Sequence, residues 1–182
     1  MLSHAAARDR YLALLDRAGI VLTADEAADL EVADLGLNDL ARTGLGLVVY
    51  ENNDRYCAKE LVMLPRQTCP QHRHPPIFNE KAPEEGDPGK RETFRCRTGV
   101  VHLYVEGPAA HNPAATPPAG DEAHYTVWHE ITLHPGDQHT IEPNTWHWFQ
   151  AGPDGCIVGE FSSTSRDEAD DFTDPRIQRV SA

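Results

Sequence analysis

Cys69-Pro70-Gln71-His72-Arg73-His74 carries two histidines separated by one residue. On an extended strand, residues i and i+2 project from the same face, so both imidazoles can converge on one ion. The surrounding text is strand-like in both directions. Upstream, Leu45, Leu47 and Val49 alternate with Gly46, Val48 and Tyr50, the turn-forming Glu51-Asn52-Asn53-Asp54 follows, and a further strand is predicted over Tyr56–Leu64. Downstream, strands are predicted at Glu92–Arg97, Val100–Glu106, Tyr125–Leu133, His139–Ile141, Trp146–Ala151 and Ile157–Phe161. Their separators are Thr98-Gly99, Pro135-Gly136-Asp137, Pro143-Asn144 and Gly152-Pro153-Asp154-Gly155. Many short strands with such punctuation indicate an all-β sandwich or barrel.

A histidine pair alone is as readily a surface feature as a ligand pair. Two further features shift the balance. Eighteen residues after His74 comes Glu92, in Lys90-Arg91-Glu92-Thr93-Phe94, with six residues between it and Gly99. The second is Gly136-Asp137-Gln138-His139-Thr140-Ile141-Glu142-Pro143-Asn144-Thr145-Trp146-His147. A tight turn at Pro143-Asn144 returns the chain so that His147 joins the first group, and Asn tolerates the left-handed backbone such a turn needs. Three imidazoles and one carboxylate form a mixed N/O set suited to Mn, Fe, Co, Ni or Zn. Four protein ligands on an octahedral ion leave two adjacent positions for substrate oxygens.

At 182 residues the chain suits one domain, and a mean hydropathy of -0.53 is ordinary for a globular protein. Sixteen basic against 29 acidic residues give a net charge of -13, which repels a phosphate backbone and argues against nucleic acid as a partner. Cys57, Cys69, Cys96 and Cys156 are widely spaced and form no C-x-x-C pair. Asp9, Arg10, Asp16 and Arg17 interrupt any apolar leader, and no stretch approaches the ~18 apolar residues of a membrane span. A reduced, cytoplasmic location is expected, with no membrane partner.

Residues 4–42 read as helical. Tyr11, Leu12, Leu14, Leu15 and Ala18 share one stripe that Gly19 can end, and Thr23 with Glu26 is a capping-box signature for a second helix through about Asp34. These helices carry no chemistry and are expected to pack on the barrel or at a homodimer contact. The expected organisation is a single domain over 1–182, with a helical segment at 1–43, a β-barrel at 44–162 and a tail at 163–182 packing on the barrel. Pro75–Gly89 and Pro108–Asp121, rich in Pro, Gly and acidic residues, read as long loops that are either functional lids or disordered.

Gln71-His72-Arg73-His74, Glu92 and Gly99, then Gly136 and Glu142-Pro143-Asn144-Thr145-Trp146-His147, resemble the two motifs of the cupin superfamily. The resemblance implies an all-β jelly-roll barrel holding a metal on His72, His74, Glu92 and His147. The long separation of His74 from Glu92 departs from the pattern and implies an insertion at the barrel mouth; Asn144 stands where the turn glycine is usual.

A narrower resemblance is carried by Gly89–Gly99, by Tyr104-Val105-Glu106-Gly107 and by the ending Glu160–Ile177. These stretches are similar to the bacterial D-lyxose ketol-isomerase family of cupins. That similarity implies a manganese-dependent aldose–ketose isomerase acting on D-lyxose/D-xylulose and often on D-mannose/D-fructose.

Moving a proton between C1 and C2 of an open-chain sugar needs a base near both carbons and a cation for the enediolate oxygens. Glu160, in the apolar company of Ile157, Val158 and Phe161, is the candidate base; its alternative is partnership with a buried cation. Lys90, two residues before Glu92, faces the same way and can hold a sugar hydroxyl or be a solvated loop-end lysine. His139 is a candidate pocket residue for substrate. Trp146 and Trp148 point away from His147 by strand parity and read as core or interface, and Asp170, Asp171 and their neighbours read as a solvated acidic stretch with which Arg166 and Arg176 can pair. A non-haem metal dioxygenase, or a cupin that binds metal or sugar without turnover, would use the same ligand set.

Overall fold

The computed structural model of the chain describes residues 2–78 and 86–179. Helix α1 (His4–Arg17) starts where the Ser3 hydroxyl accepts from the Ala6 N–H. Its stripe of Ala7, Tyr11, Leu14 and Leu15 packs on Val48, Val62 and Ile157. Helix α2 (Ala24–Ala28) has the reciprocal Thr23–Glu26 cap read from the sequence, but it stops after five residues. In place of the expected helix through Asp34, Glu31–Ala33 forms strand β1 and pairs with Leu45–Leu47. The chain then turns, with Leu35 and Asn38 at positive φ. Pairing to an open sheet edge outweighs the weak helical periodicity here, so the segment at 1–43 is only partly helical.

Eight further strands follow among the described residues: β2 (Leu45–Asn52), β3 (Cys57–Met63), β4 (Thr68–Arg73), β5 (Glu92–Val105), β6 (His129–Leu133), β7 (Gln138–Ile141), β8 (His147–Ser162) and β9 (Asp171–Phe172). The pairs of strands expected at 92–97/100–106 and 146–151/157–161 are each one continuous strand. β5 and β8 stay paired from Glu92↔Ser162 to Val105↔His147, with bulges at Cys96/Thr98 and Gly99/Val101. The glycine-rich separators therefore mark a crease in a paired ribbon, not a break in it.

Folding at the crease makes two leaves. The N-terminal half of β5 and the C-terminal half of β8 lie in a leaf with β1, β2, β3 and β7; the other halves lie in a leaf with β4, β6 and β9. Gly99 (φ +72°) and Gly155 (φ +81°) sit together at the crease, where a Cβ on Gly99 would lie 2.1 Å from the Gly155 carbonyl oxygen. Only glycine meets both demands. The result is the two-leaved cupin barrel.

Between the leaves lies the main core, including Leu47, Leu61, Met63, Phe94, Leu103, Phe149 and Val158. A second cluster joins α1 to the outside of the first leaf, and a third gathers Tyr104, Tyr125 and Trp148 outside the second. The strand expected from Tyr125 begins only at His129, because Tyr125 and Trp128 turn inward onto Trp148. Within Pro108–Asp121, the Ala115 N–H donates to the Tyr104 hydroxyl at 2.9 Å. This loop is thus a cover for the aromatic cluster rather than a lid. Of Pro75–Gly89, residues 79–85 lie outside the described residues; Ile77 and Asp87 pair across the two ends of the loop.

Residues 163–179 double back over the mouth. β9 pairs with β4, His72 opposite Phe172, and the Gln178 N–H donates to the Leu35 carbonyl at 3.0 Å. The four cysteines are buried free thiols. No helix among the described residues is long and apolar enough to cross a membrane.

Candidate functional site

The creased ribbon brings both of its ends to one mouth. Glu92 opens β5, His147 opens β8, and His72 with the following His74 closes β4. Asn144 adopts φ +61° in the turn before β8, and its N–H donates to the His74 carbonyl at 3.0 Å, fixing that turn to the first motif. One ligand atom from each of His72, His74 and His147 lies within 4.8 Å of the others. Glu92 Oε1 is 3.1 Å from His147 Nε2 and 3.4 Å from His74 Nε2.

The outward nitrogens decide what faces inward. Nδ1 of His72 lies 2.9 Å from the Pro70 carbonyl, and Nδ1 of His147 lies 2.9 Å from the Thr145 carbonyl. Carbonyls only accept, so Nδ1 carries the hydrogen and Nε2 turns a bare lone pair to the centre. His74 Nδ1 is held by Asp170 Oδ1 at 2.5 Å. Nε2 of His74 and of His147 and Oε1 of Glu92 are buried without a hydrogen-bond partner. Mutually facing lone pairs at such range repel unless a cation lies between them, and ligands at right angles on bonds of ~2.1 Å stand ~3.0 Å apart. The buried three-histidine cluster fits a divalent metal.

The electrostatics of the cluster follow from its burial and from the charges around it. Burial, then the neighbouring His147 and His74 rings, push His72 well below the ordinary histidine value, leaving the neutral imidazole that ligates metals. At His74, burial and Lys90 oppose a positive charge, but Glu92 and Asp170 outweigh them and raise its pKa. Burial would raise Glu92, yet Lys90 and the histidines hold it well below the usual carboxylate range.

Beside this set, Lys90 Nζ bridges Glu92 Oε2 at 2.7 Å and Glu160 Oε1 at 3.1 Å. Lys90 is 7 % exposed, so it is no solvated loop end. Glu160 Oε1 also receives the Ser162 hydroxyl at 3.2 Å and faces Lys59 Nζ at 3.5 Å. No hydrogen bond among the described residues falls on its Oε2. The cavity between the leaves is bounded by His72, His74, Glu92, Lys90 and Lys59, with Leu45, Leu47, Phe94, Phe149 and Phe172 as apolar lining. Glu160 stands directly behind the two lysines rather than on the cavity surface. His139 lies opposite Phe94 on β7, half-buried, and does not reach the cavity. Trp148 is core, and Trp146 packs under the Arg73 guanidinium, 4.5 Å from its ring centre.

Sequence reasoning missed Lys59, Asp167, Asp170, Phe172 and Arg179, all of which bound the cavity. Lys59 was detectable: strand parity places it on the same face as Leu61 and Met63, an apolar row where a lysine is out of place. The acidic tail, read as solvated, is instead partly buried, with Asp170 on His74 and Asp167 on Arg179. Nothing in a coil's periodicity signals that.

A two-leaved β-barrel that gathers three buried imidazoles at its mouth, with a carboxylate beside them, is a fold whose site fits a divalent metal. The chain matches the family described as D-lyxose isomerase over residues 98–182. It is 60% identical to the D-lyxose/D-mannose isomerase of Thermosediminibacter oceani over 95% of this chain and 92% of that protein. It is 61% identical to the D-lyxose ketol-isomerase of Cohnella laeviribosi over 96% and 92%. The L-ribose isomerase of Acinetobacter sp. DL28, solved with L-ribose, shares the fold with a TM-score of 0.72 at 15% identity, over 97% of this chain and 94% of that one. The chain belongs to the D-lyxose ketol-isomerase family.

Proposed function

We propose that the chain is an aldose–ketose isomerase that interconverts D-lyxose with D-xylulose and D-mannose with D-fructose, using one Mn2+ held by His72, His74, Glu92 and His147. The observation that carries this reading is the pairing of two features: orphaned inward ligand atoms beside a buried Glu160 whose Oε1 is tied and whose Oε2 takes no hydrogen bond among the described residues. A divalent ion bound there supplies positive charge to the two oxygens of an enediolate.

The chain's own residues do the rest. Glu160, reaching the sugar between Lys90 and Lys59, takes the proton from C2 through Oε2 and returns it to C1 on the same face, while the hydroxyl proton on O2 passes to O1, so that the carbonyl moves from C1 to C2. Lys90 ties Glu160 to Glu92 and directs an ammonium N–H at the cavity, where it holds O1. Phe94, Phe149 and Phe172 exclude water from the reacting carbons. The four buried thiols support a reducing, cytoplasmic setting, and the exposed Tyr50 and Phe161 support a homodimer.

The test is an anaerobic aldose panel with purified protein, before and after chelation and with Mn2+ or Zn2+ added back. The expected result is isomerisation of D-lyxose without oxygen, lost on chelation and restored better by Mn2+. Conversion that requires oxygen would replace this reading with a dioxygenase, and a metal-loaded protein inert to every aldose would leave a binding protein.

A further inference from the structure

Lys59 is the side chain the proposed chemistry leaves unexplained. It comes from the middle of β3, flanked on its own face by Cys57 and Leu61, and is 4 % exposed. Its ammonium has three hydrogens and three partners: Ser165 Oγ at 3.1 Å, Glu160 Oε1 at 3.5 Å and Asp167 Oδ1 at 3.5 Å. Two of these partners belong to the C-terminal tail. Asp167 is itself clamped, its Oδ2 accepting from Arg179 Nη2 at 2.8 Å, while Arg179 also pairs with Glu31 on β1.

A buried lysine at this position is a poor device for stability. Withdrawing an ammonium and its carboxylates from water costs several kcal/mol, and an apolar side chain in such a row is commonly as stable or more so. What a lysine does here, and an apolar residue cannot, is fix Oε1 of Glu160. Oε1 accepts hydrogen bonds from Lys90 and Ser162 and forms an ion pair with Lys59 at 3.5 Å, and no hydrogen bond among the described residues falls on Oε2. Lys90 and Ser162 pull from the ligand side and from Glu160's own strand. Lys59 pulls from β3 and is anchored to the tail.

We propose that Lys59 is a positioning residue for the base, and that through Asp167 and Ser165 it makes the C-terminal tail part of the device that aims Glu160 at the sugar. The inference rests on Glu160 being the base. The Ser165–Asp167 part of the tail therefore acts on the turnover rate, whereas metal loading depends on other contacts, that of Asp170 with His74 among them.

The experiment compares Lys59→Met, Lys59→Arg, Asp167→Asn and Lys59→Met/Asp167→Asn in the Mn2+-loaded protein, with Glu160→Gln alongside. Misaiming a general base by about 1 Å costs up to ~10²-fold. Lys59→Met is expected to lower kcat by ~10–100-fold with KM within about threefold and one metal per chain retained. Lys59→Arg should recover part of the loss. Asp167→Asn should lower kcat in the same selective way, and the double variant should be no slower than Lys59→Met alone, because the two act as one unit. If Lys59→Met does not fold, Asp167→Asn and Lys59→Arg carry the test by the same split.

A Lys59→Met or Asp167→Asn enzyme with kcat within twofold of the parent overturns the inference. So does a loss shared equally by kcat, KM and thermal stability that arginine does not relieve. If Glu160→Gln itself keeps the parent rate, the error lies in the assignment of the base, and the two failures are told apart.

Discussion

Asp170 Oδ1 lies 2.5 Å from Nδ1 of His74, so a carboxylate of the C-terminal tail orients a ring presented by β4. Such an outer partner fixes the tautomer and raises the basicity of the inward nitrogen. Asp170→Asn keeps the shape but removes the charge. Its Mn2+ affinity should fall by ~10–100-fold, measured by titration calorimetry on apoprotein, with the fold intact by circular dichroism. An unchanged Kd would detach the tail from the metal centre.

Glu160→Gln keeps the hydrogen bonds to Oε1 and removes the basic oxygen. Turnover of D-lyxose should fall by ~10²–10⁴-fold, the usual worth of a positioned general base. Metal content should remain one ion per chain, because Glu160 is outside the proposed ligand set. Turnover close to the parent's would move the base elsewhere.

Asp167 gives the tail a dependence on pH. Burial acts to raise its pKa, but Lys59 and Lys90, with Ser165 and Arg179, hold it well below the usual carboxylate range. With the folded value depressed, its contribution to stability is complete above the unfolded value of ~3.9 and is lost as pH falls toward the folded one. The gap in urea midpoint between the parent and Asp167→Asn should be constant near neutrality and narrow below about pH 5. A gap that widens on acidification would contradict the ion pairing.

Gly155 at the crease has no room for a side chain: a Cβ would lie 2.6 Å from the Met63 carbonyl oxygen, and φ is +81°. Gly155→Ala should destabilise the fold by more than the ~1–2 kcal/mol of left-handed backbone alone, read from denaturant midpoints. A variant as stable as the parent would mean that the crease relaxes freely.

The barrel was legible because its signals are local. Alternation in Leu45–Val49, the His72/His74 pair and the Pro143-Asn144 turn each depend on neighbours in sequence, and the structure places His72, His74 and His147 together, with Glu92 Oε1 3.1 Å from His147 Nε2. The segment Glu31–Ala33 was misread because its strand exists only through pairing with β2. The crease was misread as two turns because glycine and proline mark a change of direction without saying whether pairing continues through it. His139 shares a strand face with the barrel interior yet ends outside the cavity, since parity fixes a face and not a depth. Asp167, Asp170 and Arg179 were invisible for a different reason: a tail's burial is decided by what it lands on.

His147 and Glu160 are thirteen residues apart on β8, a distance of ~43 Å along a straight strand. Yet three contacts of 3.1, 2.7 and 3.1 Å, by way of Glu92 and Lys90, join them. They are the tips of a tuning fork whose root is the glycine crease, and the gap between the tips is set at the root. A small change of angle there separates or closes the two walls while every ligand and charge stays on its prong. The width of the mouth can thus be altered from the closed end of the barrel, away from the side chains that line the cavity.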